Sequence, residues 1–121
     1  MLVTQCIQAV YPEVLTVAAL DESKDRAFYS NYGDHVDVAA PGTSIPSLYL
    51  DNQYVVMSGT SMASPHVGLA ALIRSINPSL TNDEVYEIIR STANDLGTPG
   101  KDNYYGYGEI NAEAAIKKAN P

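Results

Sequence analysis

The residues best suited to chemistry lie together in Ser58-Gly59-Thr60-Ser61-Met62-Ala63-Ser64-Pro65-His66. An apolar run from Tyr54 to Met57 precedes them and reads as a strand, and another from Val67 to Ile73 follows and reads as a buried helix. A turn of small residues between strand and helix can present a side chain at a helix N-terminus. There the unpaired backbone N–H groups and the positive end of the helix dipole favour developing negative charge. A serine at that point can be a nucleophile whose own N–H helps to hold an oxyanion. Spacing alone leaves a plainer reading open, in which a serine or threonine hydroxyl caps the helix.

The elements that must position this turn are legible on either side. Val14 to Leu20 is a nearly continuous apolar run rich in β-branched residues, which suits a strand buried on both faces of a parallel sheet covered by helices. Val36 to Ala40 reads as a short strand closed by Pro41-Gly42, and Asp51-Asn52 breaks the segment that follows. A helix is expected from Ser61 to Ile76; it is apolar nearly all round, so a central place is expected for it, with Asn77-Pro78 as its stop. Thr81 and Glu84 fit a capping box, and Val85, Ile88, Ile89 and Ala93 give that helix one buried face before Leu96 to Gly100 end it. Gly106-Tyr107-Gly108 is a tight turn with a glycine at positive φ, and Asn111 caps a last helix whose Glu113 and Lys117-Lys118 match the dipole. The fold class is α/β.

The bulk numbers narrow the function classes. A chain of 121 residues is one small domain, and 45% apolar residues make it globular. With 14 acidic against 7 basic residues and a net charge of −7, there is no basic stripe for nucleic acid. No run is long and apolar enough for a membrane span, and Cys6 alone cannot form an internal disulfide. Met1 to Cys6 lacks the basic region and apolar block of an export signal.

Other ionisable residues read as structural. His66 follows Ser61 by five positions, a turn of roughly 140° on a helix, so the two side chains diverge and His66 is expected to be packed or hydrogen-bonded. His35, in a charged turn, is expected to be solvated, and Asp37, between Val36 and Val38, to be a hydrogen-bonded strand-edge carboxylate.

Gly59-Thr60-Ser61-Met62-Ala63-Ser64-Pro65-His66 resembles, letter for letter, the serine motif of the subtilisin-like serine proteases. It is not the elbow of the α/β-hydrolases, because Ala63 stands where that motif has its second glycine. Tyr11-Pro12 through Ala19, Phe28 to Gly33, Val36 to Gly42 and Gly106 to Ala112 are similar to further signatures of the same family. The resemblance implies the C-terminal portion of a catalytic domain over 11–121, an incomplete parallel sheet flanked by helices, with 1–10 matching nothing. It implies that Ser61 is the nucleophile, that Gly59 and Thr60 support the oxyanion turn, and that Asn52, Met57 and Ser58 lie along the leaving-group side of the cleft. The family's triad runs aspartate, histidine, serine; the first two, and the asparagine of the oxyanion hole, would lie before residue 1 and have no match here.

The resemblance carries further expectations. No cofactor is required for the chemistry, but the family often has a weak site for calcium or a monovalent cation. Here that site would take backbone carbonyls near Ala9, Tyr11 and Val14 and the carboxylate of Asp37. The partner in an intact enzyme is a peptide or protein substrate, and this piece alone is expected to be nearly inert. The alternative is a non-catalytic remnant or assembly partner that meets its missing N-terminal half, or itself, through exposed core surface. The family is mostly exported. One departure is local: His66-Val67-Gly68-Leu69 stands where the family usually reads His-Val-Ala-Gly, and the distance to Pro78 is one residue short. A missing residue turns all that follows by about 100°, so either the helix end absorbs it or the packing from Leu69 to Ile73 changes.

Overall fold

The computed structural model describes residues 11–120. Its centre is a parallel pair, β1 (Val17–Leu20) and β2 (Val38–Pro41), in register Val17 to Val38 through Leu20 to Pro41. All four residues of β1 are buried, which is why its sequence shows no alternation. Val17, Ala19, Val38 and Ala40 face the helices, while Ala18, Leu20 and Ala39 face Leu96 and Tyr105 of the long loop on the other side. That loop extends the sheet through single bridges, Glu109 lying parallel to Ala39 and antiparallel to Asn94. Gly106 allows the approach: its φ is 62°, and a Cβ there would lie 2.2 Å from the carbonyl oxygen of Asp37.

A second, antiparallel pair stands apart from the first: β3 (Ile45–Tyr49) and β4 (Gln53–Met57). The sequence reading saw β4 but not its partner. The turn between them holds Asp51 and Asn52 in the left-handed region, at φ 55° and 57°, which both residue types tolerate.

The expected single helix from Ser61 to Ile76 is interrupted. It runs as α1 (Thr60–Ala63), a 3-10 segment over Ser64–Gly68, and α2 (Leu69–Ile76). A 3-10 helix turns each residue by about 20° more than an α-helix, so a segment of this length overwinds by about 100°. The winding is thus tighter across Ser64–Gly68 than in the α-helical segments on either side. Nor is the helix central. Leu69 and Ile73, four apart, are buried, whereas Ala71, Leu72, Arg74 and Ser75 are exposed, because no described residue covers that face.

The other helices follow their local signals. α3 (Asn82–Ser91) begins at Thr81 with both halves of the capping box present and buries Val85, Ile88 and Ile89. α4 (Ala112–Ala119) is capped by Asn111, whose side-chain oxygen accepts the Ala114 N–H at 3.0 Å. α2, α3 and α4 pack on one another and on the sheet face of β1 and β2.

The α3 cap predicts a pH response. The backbone N–H of Thr81, and then its hydroxyl, donate to the Glu84 carboxylate and hold its pKa below the ordinary glutamate range. A depressed native pKa gives stability that is present above the unfolded value and is lost as pH falls through the folded one. Glu84→Gln should therefore flatten the acid limb of the stability profile below the ordinary glutamate pKa, measured by urea unfolding at successive pH values. An unchanged acid limb would show that the cap does not contribute.

Candidate active site

β4 delivers the chain into the serine turn, and two hydrogen bonds fix its path. The Gly59 N–H donates to the carbonyl of Gly42 at 2.8 Å, and the Ser44 N–H donates to the hydroxyl of Ser58 at 2.9 Å. Gly42 follows β2 directly, so the exit of the buried pair is tied to the entry of the serine helix. The contact admits no side chain: a Cβ on Gly42 would lie 2.7 Å from the Ala19 Cβ, 2.9 Å from the Gly59 carbonyl oxygen and 3.3 Å from the Ala63 Cβ. The Tyr29 hydroxyl donates to the same Gly42 carbonyl at 3.0 Å and meets the Thr43 hydroxyl.

The turn presents Ser61. The N-cap of α1 is Gly59, with no side-chain cap, so the hydroxyls of Thr60 and Ser61 do not close the helix end. Ser61 is exposed, and among the described residues neither its hydroxyl nor its N–H has a hydrogen-bond partner. It sits at an apolar groove of about 280 Å³ whose walls include Ile45, Tyr49, Val55, Met57, Met62 and Pro65. The inner face of the β3–β4 hairpin forms one wall and the serine helix the other.

The residues singled out in the sequence separate into those the structure gathers and those it does not. Ser61 and Met57 share the groove, and Gly59 and Thr60 form the start of α1. Asn52 stands at the hairpin tip, away from the groove walls, and the Ser58 hydroxyl is engaged by Ser44. The Nδ1 of His66 lies 3.0 Å from the carbonyl oxygen of Ala63, so this ring is anchored on its own helix while remaining exposed. His35 departs from expectation: it is packed, its side chain 9% exposed, with the ring lying over Gly33. Gly42, Ile45 and Tyr49 were not singled out. Ile45 to Tyr49 has no apolar–polar alternation, so the sequence carried no local signal for the hairpin wall.

The Asp37 carboxylate lies elsewhere and is already paired. Its Oδ2 accepts the Thr16 N–H at 2.8 Å, and its Oδ1 lies 2.8 Å from Nη2 of Arg90. The Tyr11 carbonyl accepts the Val14 N–H, and Ala9 lies outside the described residues. These residues do not fit a hard cation: the guanidinium of Arg90 already neutralises the one carboxylate of the set. Among the described residues no group of three His, Cys, Asp or Glu side chains is placed to hold a metal ion.

A buried parallel pair, a strand-to-helix turn and an exposed serine beside an apolar groove define an α/β protein with a free serine hydroxyl at a groove, counted among the described residues. The comparisons name the kind. The model of the subtilase family matches residues 3–108, and the chain belongs to that family. It is 48% identical over 110 residues to subtilisin DY of Bacillus licheniformis, covering 90% of this chain and 39% of that protein. The minor extracellular protease Epr of Bacillus subtilis is 40% identical over 124 residues, covering 92% of this chain and 19% of that one. Among solved structures, MycP1 from Mycobacterium smegmatis superposes with a TM-score of 0.79 at 36% identity, covering 85% of this chain and 29% of that one. The chain thus spans well under half the length of these relatives.

The clamp predicts the effect of filling Gly42. Gly42→Ala should destabilise the fold by about 1–3 kcal/mol, the usual cost of overpacking a tight contact. In two-dimensional NMR the amide signals of Gly59 to Ser61 should shift while those of α4 stay in place. A variant with unmoved Gly59 and Ser61 signals would show that the contact does not set the turn.

Proposed function

We propose that this chain carries the nucleophile-bearing portion of a subtilisin-like serine endopeptidase, with Ser61 attacking the peptide carbonyl. The observation that carries this reading is the exposed, unpartnered hydroxyl of Ser61 at the apolar groove, in a turn capped by glycine rather than by a side chain. The N–H of Ser61, also without an acceptor among the described residues, would donate to the oxyanion of the tetrahedral intermediate. Gly59 and Thr60 shape that turn. Met57, at the groove, and Ser58 and Asn52 beyond it would follow the leaving-group side of a peptide or protein substrate. No cofactor enters the chemistry.

The proton acceptor must come from polypeptide other than the described residues. His66 is anchored to Ala63, and His35 is packed over Gly33. The share of the relatives that this chain spans supports a base and its orienting carboxylate supplied by the remainder of a subtilase domain, in the same polypeptide or in a complementing one. An extracellular setting is supported by the relative named for it; among the described residues no helix is long and apolar enough to cross a membrane.

A specific observation favours a second reading, an assembly partner without activity of its own. The exposed face of α2 carries Ala71, Leu72 and Ile76 beside Arg74 and Ser75, and no described residue covers it. It fits the expected contact with the rest of such a domain.

A fluorophosphonate label tests the peptidase reading. The 121-residue chain alone should label at Ser61 no faster than background, since loss of the base costs subtilisin roughly a millionfold in kcat. Joined to, or mixed with, the N-terminal portion of a subtilase domain, it should label at Ser61, and Ser61→Ala should abolish the signal. Fast labelling of the chain alone, or labelling at another serine in the joined protein, would contradict the proposal.

A further inference from the structure

The Gly42 carbonyl accepts two hydrogen bonds, and the second leads to a side chain outside the groove. Both of its lone pairs are filled: the Gly59 N–H donates at 2.8 Å and the Tyr29 hydroxyl at 3.0 Å. A phenol has one proton to give. Since Tyr29 gives it to Gly42, the Thr43 hydroxyl is the donor in its contact with the Tyr29 oxygen. The order of donation is therefore Thr43 to Tyr29 to Gly42, and each bond polarises and strengthens the next.

Tyr29 is itself held firmly. The Ala27 N–H donates to the Ala19 carbonyl at 2.9 Å, and the Ser30 hydroxyl accepts the Ala19 N–H at 2.8 Å, so the chain on both sides of Tyr29 is tied to β1. Its ring packs on the core cluster and meets the Phe28 ring edge-on at 5.1 Å. Gly42 has no such anchor of its own. The close approach of Ala19, Gly59 and Ala63 excludes a Cβ there, and a residue without one has the least restricted backbone. Nothing in the stereochemistry of glycine keeps its carbonyl aimed at the Gly59 N–H. The Tyr29 hydroxyl supplies the restraint that the excluded side chain cannot.

We infer that Tyr29 is a positioning residue for Ser61, an inference that rests on the reading of Ser61 as a nucleophile. The Tyr29 hydroxyl aims the Gly42 carbonyl, that carbonyl fixes the Gly59 N–H, and Gly59 caps the short helix that carries the Ser61 hydroxyl and N–H. Tyr29 is not one of the groove walls, so it acts through these bonds and not by contact with what the groove holds. A ring that only filled space would serve equally well as phenylalanine.

Tyr29→Phe tests the inference, because it removes the hydroxyl and keeps the ring. In the 121-residue chain, NMR should detect a coupling across the hydrogen bond from the Gly59 nitrogen to the Gly42 carbonyl carbon. In Tyr29→Phe that coupling should weaken or vanish and the Gly59 amide proton should move upfield, while the couplings within α4 stay as they were. In the joined protein, acting on a peptide substrate, Tyr29→Phe should lower kcat about five- to tenfold, as for the loss of one hydrogen bond, with KM unchanged. Tyr29→4-aminophenylalanine, which keeps a donor at the ring tip, should restore most of the rate. An unchanged Gly59–Gly42 coupling, or an unchanged kcat, would overturn the inference. A raised KM at unchanged kcat would overturn it too, by placing Tyr29 in substrate binding. If the joined wild type fails to label at Ser61, the peptidase reading falls, and the coupling in the two chains still decides whether the Tyr29 hydroxyl positions the serine turn.

Discussion

A hydrogen bond between two glycines ties the serine turn to the buried strand pair. Where the Gly59 N–H meets the Gly42 carbonyl, the end of a buried strand touches the start of the serine helix, with the methyl groups of Ala19 and Ala63 closing the gap. Small residues are required on every side because backbone must approach backbone. Once that contact is made, the chain has no freedom to draw Ser61 inward: Ala63, two residues on, is fully buried against the sheet, and the hydroxyl is left facing out. The core thus determines the serine's exposure through a contact that contains no catalytic group.

The serine helix changes its winding along its length. Its two α-helical ends have separate obligations, α1 to the turn and α2 to the packing of Leu69 and Ile73 against α3 and α4. The 3-10 stretch of Ser64–Gly68 joins them. Pro65 suits its start, since a proline there forfeits no helical hydrogen bond, and Gly68 precedes the return to α geometry. Leu69 and Ile73 of α2 are buried in the core, while Ser61 near the start of α1 is exposed.

How much of this was legible in the sequence follows from which forces are local. The α3 capping box and the Asn111 cap are contacts within a few residues, and the sequence stated them outright. The unalternating apolar run of β1 correctly announced burial on both faces. The motif around Ser61, with the other matching segments, identified the family. What the sequence did not show was non-local. Strand β3 has a proline, a serine and no buried residue, so its strand character comes from pairing with β4 rather than from its own pattern. The interruption at Ser64–Gly68 depends on what α1 and α2 must each reach. An all-round apolar helix was read as central, yet exposure depends on what polypeptide lies beyond it. His35 is the local exception: it packs over Gly33 within one turn, where a charge-based reading placed it in solvent.

Hydrogen exchange at the Gly59 amide tests the central claim most directly. If the tie to Gly42 anchors the serine turn to the buried pair, this proton should exchange only with global unfolding, as slowly as the amides of β1 and β2, while the exposed amides at the hairpin tip exchange far faster. A Gly59 proton exchanging as quickly as the tip would mean that the turn opens independently of the core, and the structural basis offered here for presenting Ser61 would be wrong.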